Sequence, residues 1–208
     1  AIALMAGNGV VLKPSPHACL CGERIGRVFA RAGLPEGLLR IVHGGADTGR
    51  ALVAAPVDQV RLTGSPAVGR KVGAACARDL KPSTLALTGT DPMLVLADAP
   101  LERAVAGAVW GAFANAGQAA GSIARAYVAR ELHARFLAGV VERARALRVG
   151  DPLDPDTDVG PLATPERAAR VRALVADAVE RGATLHCGGD GAGAFVAPAV
   201  LSGVPADA

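Results

Sequence analysis

The stretch that decides the fold is DQVRLTGSPAVGRKVGAACARDL, residues 58–80, where a short apolar strand runs into a helix. The strand ends at Gly64, and Ser65 and Pro66 stand where an N-cap and a first helical residue are expected. Free backbone N–H groups and the dipole at such a helix start favour an anion, for example a nucleotide phosphate. The same residues also occur at the start of an ordinary capped helix that binds no ligand, so both interpretations stay open at this point.

Strands and helices alternate on both sides of this stretch. Strands are predicted over residues 9–15, 38–44, 58–64, 83–89, 92–98, 123–129, 184–189 and 194–201. Helices are predicted over 16–32 and 47–54, from Ser65 and from Thr164, and along two apolar stripes: Leu101, Val105, Val109 and Phe113, then Leu132, Phe136, Val140, Ala144 and Leu147. In the helix from Thr164, the side chains of Val171, Leu174, Val175 and Val179 are expected to face inward. The pattern predicts an α/β fold with a parallel sheet covered by helices on both faces.

Composition excludes several classes of function. Of 208 residues, 51% are hydrophobic and 3% aromatic, and the net charge is +3. Few aromatic residues and interspersed charges argue against nucleic-acid binding. No apolar run approaches the roughly 20 residues of a membrane span. The opening AIALMAGNGVVL has no basic leader and is interrupted by glycines, so it does not read as a signal peptide.

The cysteines and histidines give no metal-binding pattern. Cys19 and Cys21 form a C-x-C pair, and no further cysteine or histidine cluster completes a zinc set. The four cysteines are expected to be reduced, which favours a cytoplasmic location. The four histidines are scattered and are expected to be structural or on the surface.

Lys13 ends its predicted strand where open α/β sheets bind ligands. A lysine there can bond a ribose hydroxyl or a phosphate, although a solvated charge is the commoner role. No G-x-G-x-x-G follows the first strand, so the standard dinucleotide fingerprint is missing.

Five segments, in order and with family spacing, resemble the aldehyde dehydrogenase superfamily. They are AGNGVVLKPS, GLPEGLLRIVHG, VRLTGSPAVGRKV, DPMLVLADAPLERAVAGAVWGAFANAGQ and LRVGDPLDPDTDVGPLAT. The resemblance implies a variant Rossmann cofactor domain, here residues 1–87, and part of the α/β catalytic domain, here residues 88–208. It also implies oxidation of an aldehyde with NAD or NADP, through a cysteine nucleophile and a glutamate general base.

The resemblance fails at both chemical positions. The family nucleophile stands two residues after NAGQ, where this chain has Ala120, and the general base matches Ala86 in LALTGT. Alanine has neither a nucleophile nor an ionisable group. Ser122 stands two residues too late to replace the cysteine, and no histidine or glutamate is near it in sequence to activate it.

The cofactor positions are partly kept. By resemblance, Lys13, Ser15, Gly64 and Ser65 are the candidate cofactor-binding residues for NAD or NADP. Pro16 replaces the family glutamate that bonds the adenosine ribose, so binding is expected to be weak or absent.

Three functional hypotheses follow. The first is a catalytically silent, structural or regulatory domain, whose partner is the rest of a longer chain or an active homologue. The second is an active NAD(P)-dependent aldehyde dehydrogenase, and the third is a nucleotide-binding module without catalysis. Because family members are far longer and carry a further sheet strand upstream, the segment is expected to form oligomers or to need more chain. Uncovered apolar surface is expected near residues 1–6 and 196–208.

Overall fold

The computed structural model describes residues 1–205 and divides the chain into two compact units, Ala1–Thr88 and Gly89–Ala208. This division lies one residue from the predicted boundary. That the first unit binds a cofactor and the second belongs to a catalytic domain remains a prediction.

The first unit contains two parallel strand pairs. Its elements are α1 (Ile2–Met5), β1 (Val10–Leu12), a 3₁₀ turn (Pro16–Ala18), α2 (Cys19–Arg31), β2 (Leu39–Ile41), α3 (Ala46–Ala54), β3 (Val60–Gly64), α4 (Pro66–Arg78) and β4 (Ser83–Leu87). β1 pairs with β2, and β3 pairs with β4. The strands and helices follow the sequence prediction, but the described residues form two separate pairs where one sheet was expected.

The backbone hydrogen bonds of β1 show which of its two edges pairs with β2. The N–H of Val10 donates to Leu38 O, and Leu12 O accepts from Val42, so these two residues of β1 point toward β2. The backbone groups of Val11 therefore point to the opposite edge. β1 and β3 each keep one edge without a strand partner in the part of the chain that the structure describes.

The second unit holds most of the buried core. Its elements are β5 (Asp91–Val95), α5 (Leu101–Phe113), a 3₁₀ turn (Ala114–Gly117), β6 (Ile123–Val128), α6 (Arg130–Ala146), α7 (Pro165–Glu180), β7 (Thr184–Cys187) and β8 (Val200–Ser202). β5 and β6 pair in parallel. The two predicted stripes are confirmed, because Val105, Val109, Phe136, Val140 and Ala144 are buried in one cluster.

Two expectations about the C-terminal part are only partly correct. Leu174 and Val179 were expected to face inward along α7, but they are 58% and 43% exposed, and the buried residues of this helix are Ala168 and Ala178. Val171 and Val175 are half-buried and share the inward face with Ala168 and Ala178, so only Leu174 and Val179 were assigned to the wrong face. Residues 196–205 are uncovered only in part: Val200 is buried in β8, which pairs antiparallel with β7, whereas Val204 is 42% exposed. Residues 206–208 lie outside the described part.

The two helix starts predicted from Ser65 and Thr164 are confirmed. Ser65 Oγ accepts a hydrogen bond from Val68 N at 3.3 Å, and Thr164 Oγ1 accepts one from Arg167 N at 3.3 Å. Proline follows each cap at the first helical position. Each cap satisfies one backbone donor that the helix itself leaves unpaired.

Leu80 ends α4 in a conformation that suits glycine. Its φ is 53°, the Leu80 N–H donates to Ala77 O, and the Lys81 N–H donates to Cys76 O, which is a Schellman motif. Leu80→Gly is expected to raise the free energy of unfolding by about 1 kcal/mol, since it removes left-handed strain and its side chain is 90% exposed. Urea unfolding measures the change.

Leu153 gives the matched control, because it is also 90% exposed but its φ is not positive. Leu153→Gly is expected to be neutral or destabilising. Equal shifts for both variants would show that the strain at Leu80 has no energetic effect.

Candidate functional site

Ala120 lies on an exposed turn between α5 and β6, as the sequence predicted for a loop that mounts a nucleophile. The turn is closed by a hydrogen bond from Ser122 N to Ala119 O at 3.2 Å. Asn115, Ala116 and Gly117 enter it with φ values of 53°, 55° and 72°. Three successive residues in the left-handed region form a strained backbone, which is held only where neighbouring groups enforce it.

Gln118 ties this turn to a distant part of the chain. Its Nε2 donates to Asn115 O at 3.1 Å and to Pro161 O at 3.3 Å, while its Oε1 accepts from Ala163 N at 2.8 Å. Asn115 Nδ2 donates in return to Gln118 O at 3.1 Å. The loop that bears Ala120 is therefore braced against residues 161–163.

The segment that precedes residue 161 is held by Arg148. Its guanidinium contacts Asp156 and Asp158, each at 3.1 Å, and its backbone N–H also donates to Asp158 at 2.9 Å. The hydrogen bond from the Arg148 side chain holds the pKa of the Asp158 carboxyl below its ordinary value. These contacts fix part of the loop between α6 and α7, which is rich in proline, aspartate and glycine.

Ser122 does not have the contacts of a catalytic nucleophile. Its hydroxyl lies 3.5 Å from Ala112 O, the acceptor nearest to it at the end of α5. Within residues 1–205, no histidine or carboxylate is hydrogen-bonded to Ser122. Among the described residues, Ser122 therefore has no hydrogen-bonded base that could activate it.

Ala86 and the candidate nucleotide turn are neighbours in the first unit. In the β3–β4 register, Ala86 lies opposite Thr63 and Leu87 lies opposite Gly64. Gly64 O accepts from Thr88 N at 3.2 Å, and Ser65 follows directly as the cap of α4. The degenerate base position and the predicted phosphate-binding turn thus lie at one end of one strand pair.

Lys13 and Ser15 lie at the carboxyl end of β1. Lys13 Nζ donates to Pro14 O at 2.7 Å and to Gly44 O at 3.1 Å, so it links the loops that follow β1 and β2. Ser15 Oγ accepts from His17 N at 3.3 Å. Lys13 keeps one N–H for a ligand, and its role in cofactor binding remains a prediction.

Other kinds of site find little support in the described residues. No group of three or more histidine, cysteine or acidic side chains is placed to hold a metal ion among residues 1–205. In that part of the chain, no helix has the length and apolar character needed to cross a membrane. All four cysteines are free thiols.

Sequence reasoning missed the side-chain contacts that span long distances along the chain. Gln118 reaches residues 43 and 45 positions away, and Lys13 reaches Gly44 across 31 positions. Neither contact leaves a local pattern. The only signal available was the family-like spacing of NAGQ and GPLAT.

Alternating parallel strands and helices, with a capped helix start at the end of β3, define an α/β protein of Rossmann-like type. A family model described as the aldehyde dehydrogenase family matches residues 1–208. Betaine aldehyde dehydrogenases are similar in sequence: the protein of Agrobacterium fabrum is 42% identical over 99% of this chain, and that of Mesorhizobium japonicum is 38% identical over 97%. The chain belongs to the aldehyde dehydrogenase family.

Solved structures agree with this assignment. An NADP-dependent enzyme of E. coli superposes with a TM-score of 0.95 at 37% identity, over 99% of this chain and 44% of that one. An aldehyde dehydrogenase of Mycobacterium tuberculosis in complex with NAD⁺ gives 0.94 at 39% identity, with the same coverage. The chain spans 43% of the length of each of the two betaine aldehyde dehydrogenases.

Proposed function

We propose that this chain is a catalytically silent aldehyde dehydrogenase-like domain with a structural or regulatory role. The observation that carries the proposal is the alanine at position 120, on the one turn where the family mounts its nucleophile. A thiolate there attacks the aldehyde carbon in active members, and the resulting adduct passes hydride to the nicotinamide. A methyl group can form no such adduct.

The second degenerate position supports the same proposal. In the family, a glutamate at the position of Ala86 activates the water that hydrolyses the acyl intermediate. Loss of the nucleophile and of the base at two separate places is expected when selection no longer maintains the reaction. Ser122 offers no evident substitute, because its hydroxyl lies beside Ala112 O and no base within residues 1–205 is hydrogen-bonded to it.

The residues at the candidate nucleotide site fit NAD or NADP only in part. Gly64 and Ser65 present a helix start that suits a phosphate, and Lys13 has one N–H to offer a ribose or phosphate oxygen. Pro16 stands where the family has a carboxylate that accepts a ribose hydroxyl. A bound nicotinamide cofactor would supply the hydride acceptor, and these residues would bind only its adenosine half.

Calorimetric titration tests this proposal. No binding is expected at micromolar NAD or NADP, because the missing ribose hydrogen bond is worth about 0.5–1.5 kcal/mol. In addition, Lys13 already donates to two carbonyl oxygens. Tight, stoichiometric binding would contradict the silent-domain proposal and favour an active enzyme or a nucleotide-binding module, which an assay of aldehyde oxidation then separates.

Weak binding at millimolar nucleotide is to be checked with a matched pair of variants. Lys13→Met is expected to abolish it, whereas Lys71→Met removes an equal charge from an exposed position on α4 and is expected to leave it unchanged. Equal loss in both variants would mean that the nucleotide is held by general charge and not at Lys13.

The proposed partner is the rest of a longer chain or an active aldehyde dehydrogenase homologue, in the cytoplasm. Support comes from the unpaired edges of β1 and β3 and from an apolar groove of 390 Å³ lined by α1, β1, α2 and β2 together with Arg61. A further strand parallel to β1 and β3 would bury this groove and satisfy the unpaired backbone groups.

The second candidate function is an NAD(P)-dependent aldehyde dehydrogenase that acts by an altered mechanism. The similarity to betaine aldehyde dehydrogenases favours it and suggests betaine aldehyde as the first substrate to test. A nucleotide-binding module without catalysis is the third hypothesis, and the titration separates it from the silent domain.

A further inference from the structure

Both N–H donors and the carbonyl oxygen of the Gln118 side-chain amide are engaged in the structure. Both Nε2 donors have backbone acceptors, at Asn115 and at Pro161, and Oε1 has a backbone donor at Ala163. The side chain is only half-buried, so burial alone does not explain this full set of partners. Since the bonds lead to two segments, Gln118 holds one against the other.

The nearer segment needs such support. Asn115 and Ala116 both carry a Cβ and both have left-handed φ values, a conformation that costs roughly 1–2 kcal/mol per residue. Gln118 closes this turn twice, through its backbone N–H to Asn115 O and through its side chain to the same oxygen, each at 3.1 Å. Position 120 follows two residues later.

The farther segment is fixed independently of Gln118. Leu162 N donates to Ala194 O at 2.8 Å, and Val159 N donates to Arg148 O at 3.0 Å. Arg148 is itself held by Asp156 and Asp158. Residues 161–163 therefore offer a fixed support, and the strained turn is the part that can move.

We infer that Gln118 is the positioning residue of the 115–122 loop, which it holds in a nucleophile-mounting geometry by anchoring it to residues 161–163. The inference rests on the proposed function only in treating Ala120 as a former nucleophile position. Within the 115–122 loop, the loss of chemistry is thereby confined to the side chain at position 120, while Gln118 holds the backbone that presents it.

Hydrogen exchange of individual amides, followed by NMR on the full chain, tests the inference. Gln118→Met keeps the side-chain length and removes all three side-chain hydrogen bonds. Exchange is expected to accelerate about tenfold or more at the backbone amides of residue 118, Ser122 and Ala163. The reason is that opening of this local unit no longer requires breaking those side-chain bonds. Exchange along α6 is expected to stay unchanged, and Gln59→Met, an exposed glutamine in the first unit, is the matched control.

A conservative variant separates positioning from general stability. Gln118→Glu keeps an acceptor for Ala163 N and loses both donors, so protection is expected to remain at Ala163 and to be lost at Gln118 and Ser122. A general loss of stability would instead affect all three amides and α6 equally. Because Gln118→Glu keeps one anchor, it also provides the test if Gln118→Met does not fold.

Two outcomes would overturn the inference. One is unchanged exchange at Ser122 in Gln118→Met, and the other is a uniform acceleration across the second unit in both variants. Neither outcome bears on aldehyde oxidation, which depends on the group at position 120, so failure here is distinguishable from failure of the proposed function.

Discussion

Purified protein mixed with NAD or NADP and a panel of aldehydes, including betaine aldehyde, is expected to form no NAD(P)H above the protein-free background. The reason is the alanine at position 120 together with the alanine at position 86. Removal of a catalytic nucleophile costs on the order of 10⁶ in rate in the serine protease precedent. A loss of that size places turnover below detection at ordinary protein concentrations.

The assay needs a positive and a negative control. The betaine aldehyde dehydrogenase of Agrobacterium fabrum, which is 42% identical, provides the positive control under the same conditions. If this chain forms any NAD(P)H, the assay is to be repeated after alkylation of the chain's thiols. Turnover that alkylation removes would mean that one of the four cysteines has taken over the reaction, and the silent-domain proposal would be wrong.

The isolated chain is expected to self-associate and to bind a hydrophobic dye. Among the described residues, Cys76 is the only buried hydrophobic side chain of the first unit, while the second unit has a cluster of such side chains. Parallel sheets occur almost only with both faces covered, and an exposed strand edge can pair with another chain. A unit of this size without a buried core is expected to gain much of its stability from contacts with more protein.

Analytical ultracentrifugation and thermal unfolding measure this. Met5, on α1, is 85% exposed and directly follows Leu4, which lines the apolar groove, and Met5→Lys is expected to reduce both association and dye binding. Leu153→Lys introduces the same charge at an equally exposed position in the second unit and is expected to change neither. A sharply melting monomer that binds no dye would contradict the expectation.

Much of the fold could be predicted from the sequence because the signals are local. The strand–cap–helix pattern at Gly64, Ser65 and Pro66 and the stripe through Val105 and Val109 depend only on spacing. The inward face of α7 was predicted only in part. Val171 and Val175 lie on it with Ala168 and Ala178, but the hydrophobicity pattern also gave weight to the exposed Leu174 and Val179.

The positions of the candidate site residues could be predicted from the sequence, but the hydrogen bonds that hold the neighbouring loops could not. Ala86 and Ala120 follow from family spacing, and the structure places them on a strand and a turn as expected. The bonds of Gln118 and Lys13 to distant carbonyl groups depend on tertiary contacts that no local pattern encodes. The left-handed φ of Ala116 also escaped prediction, because alanine carries no signal for that conformation.

The covalent step itself is the most direct test of whether the site is silent. The chain is mixed with betaine aldehyde and NAD, quenched in acid and analysed by peptide-resolved mass spectrometry. A silent domain predicts an unmodified mass for the peptide that bears Ala120 and Ser122 and for every cysteine-containing peptide. An acyl adduct on Ser122 or on a cysteine, appearing and decaying together with NADH formation, would contradict the proposed function.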